Sequence, residues 1–158
     1  MLIPSARLLI ATLWCGSLWT IGYLAAPALF ASLSDRVLAG TIAGTLFRIE
    51  AWLSLVAGIL LIALNKAPPR DAARERRRLL LIVAMLACTL IGYFGLQPFM
   101  AALRESAGAD GVMASDMRMR FGILHGISSV FYLAESLLAA GLMLNLQARA
   151  PSVDQERA

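Results

Sequence analysis

Four long apolar segments, separated by short polar stretches, account for most of this chain. Two of them, 8–34 and 79–103, contain no Asp, Glu, Lys or Arg. The other two, near 40–64 and 120–147, are similarly long but carry charged residues and a histidine. Each segment exceeds the roughly 20 residues with which an α-helix crosses about 30 Å of hydrocarbon. The pattern therefore predicts four membrane-spanning helices, at about 6–33, 39–65, 79–104 and 119–148.

Composition places the chain among integral membrane proteins. Of its 158 residues, 59% are hydrophobic and 15% are charged, against about 45–50% and about 25% in soluble domains. A soluble domain of this length would need a more polar surface, and the same figures exclude disordered and collagen-like chains. We expect a single all-α domain, 1–158, folded as a four-helix bundle in the lipid bilayer.

The distribution of basic residues predicts the orientation of the bundle. The stretch 66–78 holds six of the fourteen Lys and Arg residues, and short loops with such an excess stay in the cytoplasm. This basic loop places both termini, including the tail 149–158, in the cytoplasm of a bacterial-type inner membrane. The first apolar run is longer than the about 7–15 residues of a signal peptide core, so we expect it to remain as an anchor. Topology alone explains the arginines, and we expect no nucleic-acid partner.

The first and third helices share a local sequence, which indicates an internal repeat. Residues 21–26 read IGYLAA before Pro27, and residues 91–97 read IGYFGLQ before Pro98. Because both copies start on the cytoplasmic side, they predict two parallel hairpin repeats. Each proline removes an intrahelical hydrogen bond, and the freed carbonyl needs a partner from another helix, a water or a ligand. The prolines therefore predict two helix kinks, which serve packing or line a small polar cavity.

Charged residues inside the predicted spans are costly, at about 2.5–3.5 kcal/mol for a charge at a helix centre. Counting about 1.5 Å per residue from the cytoplasmic side places Arg48 and Glu50 in the outer third of the membrane and Glu135 deeper. Since Arg48 and Glu50 are two residues apart, they point in different directions. We expect Glu50, rather than Arg48, to face the fourth helix and to pair with His125, and Arg48 to pair with an external carboxylate such as Asp116.

The fourth helix carries a polar stripe at positions i, i+3, i+7 and i+10. These positions fall within a sector about 80° wide, so the side chains line one face from the external end inward. The polar stripe comprises His125, Ser128, Tyr132 and Glu135. Arg48 and Glu50 of the second helix complete the predicted intramembrane polar site.

Three interpretations of this site stay open at the level of sequence. It could bind a proton or a small solute and open to the external side, with His125 titrating near neutral pH. It could instead be a structural ladder of interhelical hydrogen bonds, with Glu135 protonated, in an assembly partner that binds no ligand. Thioethers and imidazole suit copper(I), so the third interpretation is an external copper site. Its candidate ligands are His125, Met100, Met113, Met117 and Met119.

Other chemistry receives little support from the sequence. A b-type haem needs an axial histidine and a second ligand, and the chain has one histidine, so haem is disfavoured. No catalytic motif is recognisable, and nothing in the sequence requires a cofactor. Two glycine pairs, Gly40 with Gly44 and Gly122 with Gly126, open the second and fourth helices. Such pairs let helix backbones approach closely, within one chain or in a homo-oligomer.

Several short stretches resemble a known family. The chain reads WCGSLW at 14–19, APALF at 26–30, AGTIAGTLF at 39–47 and LHGIS at 124–128. These stretches resemble the small four-helix membrane proteins typified by transmembrane protein 205, whose bacterial members form the DUF4149 family. The architecture is also similar, more distantly, to the copper-resistance D membrane proteins, some relatives of which bind haem. The resemblance implies an uncharacterised multi-pass membrane protein and carries over no catalytic residue.

Overall fold

Four long helices form the computed structural model, which describes residues 2–65, 72–108, 111–114 and 116–147. They are α1 (Leu2–Ser32), α2 (Arg36–Leu64), α3 (Ala72–Ser106) and α4 (Arg118–Gln147). Each is long and apolar enough to cross a membrane, and no strand occurs in the described ranges. The all-α, four-helix membrane architecture is therefore confirmed. The predicted tail 149–158 and the first part of the basic loop, 66–71, lie outside the described residues.

The helices pack in a ring that follows the order of the chain. The backbone of α2 contacts α1 and α3, that of α4 contacts α3 and α1, and the most extensive contact joins α3 to α4. We call the end where α1 meets α2 and α3 meets α4 the distal end, and the opposite end the proximal end. The two hairpins therefore lie side by side, and the four helices enclose one common interior.

Polar side chains cap the helices at both ends of the bundle. At the distal end, Asp35 Oδ1 accepts hydrogen bonds from the backbone nitrogens of Val37 and Leu38, at 2.8 and 3.0 Å, which begins α2. At the proximal end, Arg7 Nε donates to the Leu64 carbonyl oxygen at 3.1 Å. These contacts satisfy backbone groups that a helix terminus leaves without intrahelical partners.

Part of the predicted basic loop is helical. The helix α3 begins at Ala72, earlier than the predicted start at 79, because Ala, Arg and Glu are good helix formers. Two of its arginines bind neighbouring helix ends. Arg74 donates to the Asn145 carbonyl oxygen at 2.8 and 3.0 Å, and Arg78 Nε donates to Asn65 Oδ1 at 2.6 Å.

The apolar core lies in the proximal half of the bundle. Its largest fully buried side chains come from all four helices, and many other large apolar side chains are exposed on the outer surface. This distribution suits a bundle surrounded by lipid, where outward-facing apolar residues have an apolar solvent. The core side chains are Trp14, Leu18, Leu61, Ile82, Met85 and Leu142.

The repeated sequence in α1 and α3 adopts a repeated structure. Each copy contains a π-helical segment, Ile21–Ala25 in α1 and Leu90–Gly95 in α3. Pro27 and Pro98 each lie in the first turn of the α-helical segment that follows, where a missing backbone N–H is best tolerated. In the first copy, the Ala26 N–H donates to the Ile21 carbonyl oxygen, five residues earlier. The chain thus accommodates both predicted kink sites by widening the preceding turn.

Candidate functional site

A layer of polar side chains crosses the middle of the bundle. Ser17 lies fifteen residues from either end of α1 (2 to 17, 17 to 32), and Glu50 lies fourteen from either end of α2 (36 to 50, 50 to 64). Thr89 lies seventeen residues from either end of α3 (72 to 89, 89 to 106), and Glu135 is within three residues of the midpoint of α4. We call these four residues the midplane layer. They occupy the level at which a centred membrane is least polar.

The position of Glu50 corrects the depth expected from the sequence. The count from the basic loop places Glu50 in the outer third, whereas it stands at the middle of α2. The 29 residues of α2 extend about 43 Å, which exceeds the about 30 Å of hydrocarbon. A count from the proximal end therefore includes residues that lie outside the hydrocarbon and overestimates the depth.

Glu50 is held among polar groups from α1 and α2. Its side chain is 3% exposed, and the Ser17 hydroxyl lies 3.2 Å from Glu50 Oε1 and 2.9 Å from the Trp14 carbonyl oxygen. Trp14 Nε1 donates to Ser54 Oγ, one turn from Glu50, at 2.8 Å. The second carboxyl oxygen, Glu50 Oε2, is buried and has no hydrogen-bond partner. One oxygen of this carboxyl group is therefore hydrogen-bonded to Ser17, and the Ser54 hydroxyl also lies near the carboxyl group.

Glu135 has a matching environment in the second hairpin. Its side chain is 4% exposed, and Thr89 Oγ1 lies 2.7 Å from Glu135 Oε1 and 3.2 Å from the Met85 carbonyl oxygen. Within the described part of the chain, no Lys or Arg forms an ion pair with Glu50 or Glu135. Each hairpin thus presents one buried glutamate to a hydroxyl of its first helix.

Two further members of the polar stripe bind backbone carbonyls. The Tyr132 hydroxyl donates to the Leu18 carbonyl oxygen at 2.5 Å, just before the π-helical segment of α1. Ser128 Oγ donates to the Gly92 carbonyl oxygen at 3.2 Å, inside the π-helical segment of α3. For Ser128 and Tyr132, the predicted ladder of interhelical hydrogen bonds is present and ties α4 to both repeats.

Equivalent glycines of the two repeats make this approach of α4 feasible. A Cβ atom on Gly22 would lie 2.7 Å from the Tyr132 hydroxyl oxygen and closer still to the ring. A Cβ atom on Gly92 would lie 3.1 Å from Phe131 Cβ. Real Cβ atoms rarely approach side chains this closely, so the glycine of each IGY motif lets α4 lie against the widened turn.

A second polar cluster lies toward the distal end. Arg104 of α3 donates from Nη2 to Gln97 Oε1 at 3.2 Å, and its guanidinium lies 5.6 Å from the Phe121 ring centroid. Nη1 of the same arginine is 3.5 Å from the position of a Cβ on Gly44. His125 is exposed and stacks on Phe121, with ring centroids 5.9 Å apart. We call this group, with Arg48, the distal cluster.

The structure therefore places five of the six predicted site residues in two separate groups, with the sixth between them. Glu50 and Glu135 are buried in the midplane layer, with Tyr132 half-buried beside it. Arg48 is exposed on α2, and His125 is exposed on α4. Ser128 lies between the two groups, bound to α3. The fourth helix thus does not carry one continuous buried stripe from the distal end to Glu135.

The methionines of the predicted copper site are spread over different surroundings. Met100 is buried at 4% exposure, whereas Met113 and Met119 are 60% and 77% exposed. Met117 lies 3.4 Å from Ser106 Oγ and lines an open groove of about 510 Å³ between α3 and α4. Among the described residues, no group of three or more His, Cys, Asp or Glu could hold a metal ion. The copper site stays a prediction.

The two glycine pairs differ in what they face. Within 4 Å of its Cβ position, Gly44 meets Arg104 and Gln97, and Gly40 meets the Phe30 ring. A Cβ atom placed on Gly122 or Gly126 would have no other atom of the described chain within 4 Å. These two glycines therefore do not mediate a close helix contact within the described chain. The contribution of either pair to a homo-oligomer stays a prediction.

Several residues that lie in or beside the midplane layer and the distal cluster were not predicted from the sequence. Ser17, Ser54 and Thr89 were indistinguishable from ordinary small residues of apolar helices, although each lies near the middle of its span. Gln97 could have been noticed, since it is the extra residue of the second repeat. A search for hydroxyl residues at the depth of each intramembrane acid would have found the partners of Glu50 and Glu135.

Comparison with known proteins gives one match. Residues 9–109, or 101 of the 158, match the family DUF4149, described as "Domain of unknown function (DUF4149)". The matched range includes all of α2 and α3, most of α1, and three of the four midplane residues. Neither the curated proteins nor the solved structures contain a match.

Proposed function

The chain belongs to the DUF4149 family, and from that premise we propose that it is a multi-pass membrane protein that binds and releases protons at Glu50 and Glu135. The family description assigns no function, so the proposal rests on the midplane layer alone. Its chemistry is the gain and loss of one proton by each buried carboxyl group, whose hydrogen-bond partner is a neighbouring hydroxyl. A solute or a second ligand is not required by the geometry.

The proposal rests on how many hydrogen atoms the midplane layer has available for its hydrogen bonds. The Ser17 hydroxyl lies between Glu50 Oε1 and a backbone carbonyl oxygen, and the Thr89 hydroxyl lies in the same way beside Glu135. A hydroxyl has one hydrogen and two lone pairs. If the carboxyl group is ionised, one hydrogen must serve two acceptors. If the carboxyl group holds a proton, it donates to the hydroxyl, which donates to the carbonyl, and both contacts are complete.

The energetics of burial agree with this arrangement. An ionised group near a helix centre costs about 2.5–3.5 kcal/mol on insertion scales, and neither glutamate has a cationic partner in the described ranges. An oxygen without a donor, such as Glu50 Oε2, is tolerated more easily in a neutral carboxyl group than in a carboxylate. Acidic residues retained at such positions commonly serve proton relays.

We also propose the orientation that the charge distribution favours. The proximal end would face the cytoplasm of a bacterial-type inner membrane, because the basic stretch 66–78 adjoins it. The position of the distal cluster on the far side would make His125 an external residue.

Infrared spectroscopy of the protein in lipid vesicles tests the proposal. At neutral pH, exposed carboxyl groups are ionised, so the carbonyl band of a protonated carboxylic acid reports buried ones. We expect this band in the wild type, a reduced band in E50Q and in E135Q, and none in the double variant. A shift of the band in heavy water shows that the protons exchange. The matched control is E105Q, which removes an exposed glutamate of α3.

Glutamine is an informative replacement at both sites. Its amide nitrogen can donate to Ser17 or Thr89 as a protonated carboxyl group does, so E50Q and E135Q should remain folded. A band that persists unchanged in the double variant would overturn the proposal. A band that is lost in the variants but neither shifts in heavy water nor titrates would favour the purely structural ladder.

A further inference from the structure

The distal cluster holds two arginines from different helices within a membrane-spanning region. Arg48 is twelve residues from the start of α2, or about 18 Å along the helix. The guanidinium of Arg104 lies beside Gly44 and Gln97, eight residues into α2 and nine from the end of α3. The Arg104 guanidinium and the Arg48 backbone therefore lie about 12–18 Å from the distal helix ends.

This depth lies inside the hydrocarbon of a centred membrane. Since α2 extends about 43 Å and the hydrocarbon about 30 Å, the boundary falls roughly 7 Å below the first residue of α2. The Arg104 guanidinium and the Arg48 backbone consequently lie about 5–11 Å below it. Isolated cations at that depth are unfavourable unless they extend toward the headgroups or bind an anion.

Neither arginine has an anionic partner in the part of the chain that the structure describes. The guanidinium of Arg104 binds the neutral amide of Gln97, and its Nε is buried without a hydrogen-bond partner. Arg48 is exposed and forms no ion pair with a described residue. Of the described carboxyl groups near this end, Asp35 is engaged with its own helix start, and Glu105 and Asp116 are exposed and form no ion pair with a described residue.

The exposure of Arg48 indicates where an anion would come from. Arg48 lies on the outer surface of α2, next to Ile49, which is 56% exposed, and one turn from Trp52, which is 58% exposed. This surface faces lipid in a membrane. The anions present beside it are the phosphate groups of phospholipids, and arginine binds phosphate through several N–H groups at once.

We propose that Arg48 and Arg104 bind the headgroup phosphate of one phospholipid of the distal leaflet, between α2 and α3. The phosphate accepts hydrogen bonds from the Arg48 guanidinium and from the terminal Nη groups of Arg104. Arg104 Nη1 lies beside Gly44, one turn before Arg48 on α2, which brings both arginines to the same level of the α2 surface. The two arginines thus draw a headgroup inward, a local thinning that is a known response to intramembrane charge.

Native mass spectrometry of the delipidated, detergent-solubilised protein tests this proposal. The probe is a phosphatidylglycerol with defined acyl chains, and a diacylglycerol with the same chains lacks the phosphate. We expect the wild type to retain one phosphatidylglycerol and no diacylglycerol. The variants R48Q and R104Q should each bind phosphatidylglycerol about tenfold more weakly. R118Q, which removes an exposed arginine of the same end, should bind as the wild type does.

A second variant separates binding from folding. Q97E keeps both arginines and the shape of the side chain, but it places a carboxylate at the atom that Arg104 already contacts. This internal anion should compete with the phosphate and weaken lipid binding while preserving the fold. Unchanged binding in both R48Q and Q97E would overturn the proposal. Equal binding of diacylglycerol, or displacement of the lipid by an equal concentration of inorganic phosphate, would overturn the assignment to a phospholipid.

Discussion

The substitution G22A tests whether α4 is held against the π-helical segment of α1. The added Cβ would lie 2.7 Å from the Tyr132 hydroxyl oxygen and nearer to its ring. The ring cannot move away without losing its 2.5 Å hydrogen bond to the Leu18 carbonyl oxygen. Overpacking costs about 1–3 kcal/mol, and an interhelical hydrogen bond in a membrane contributes about 0.6 kcal/mol. Alanine returns up to about 1 kcal/mol of helix propensity, so we expect a net destabilisation of about 1–3 kcal/mol.

Reversible unfolding in mixed detergent micelles, followed by tryptophan fluorescence, measures this loss. The matched controls are G122A and G126A, in which the new Cβ meets nothing within 4 Å, so their stability should be unchanged or slightly higher. The smaller side chain of Y132L should reduce the effect of G22A, and a double-mutant cycle would record this coupling. If G22A is as stable as the wild type, or if Y132L does not reduce its effect, the close approach of α4 is refuted.

Two other predictions concern orientation and metal binding. A green fluorescent protein fused to the C-terminus should fluoresce, and an alkaline phosphatase fused there should be inactive, since we place both termini in the cytoplasm; the reverse pattern would show the opposite orientation. If the methionines and His125 form a copper(I) site, the purified wild-type protein should carry copper, and the variants H125A and M119L should lose it. A copper content no higher than that of an unrelated membrane protein would exclude the site.

The helices were predictable because the apolar segments are long and almost free of charge. The ends were less predictable. Asp35 acts as an N-cap in the structure, whereas the sequence pattern placed the start of the second helix after it. The start of α3 at Ala72 could not be predicted, because a cluster of arginines is typical both of a cytoplasmic loop and of a helix end. Charge statistics do not distinguish these two conformations.

The candidate site was predictable in part. Periodicity placed Ser128, Tyr132 and Glu135 on one face of a helix, and all three bond to α1 or α3. Periodicity gives the direction of a side chain but not the rotation of the helix relative to its neighbours. His125 shares the sector of the polar stripe, yet it is exposed on the distal cluster. The burial of Glu50 beside Ser17 depends on packing between two helices, which one helical pattern cannot supply.

The position of the internal repeat could be predicted from the sequence, but its local structure could not. The shared IGY motif and the following prolines indicated equivalent positions in α1 and α3. Their π-helical form and the close approach of α4 at Gly22 and Gly92 were not predicted. A proline fixes where a backbone N–H is missing, but the surrounding helices decide whether the turn kinks or widens.

The infrared spectrum of the protein at neutral pH is the most direct test of the proton-binding assignment. The count of hydrogen atoms around Ser17 and Thr89 predicts a protonated carboxylic acid band that E105Q retains, E50Q and E135Q each reduce, and heavy water shifts. A spectrum in which the wild type has no such band at neutral pH would mean that both buried glutamates are ionised, and it would contradict the assignment.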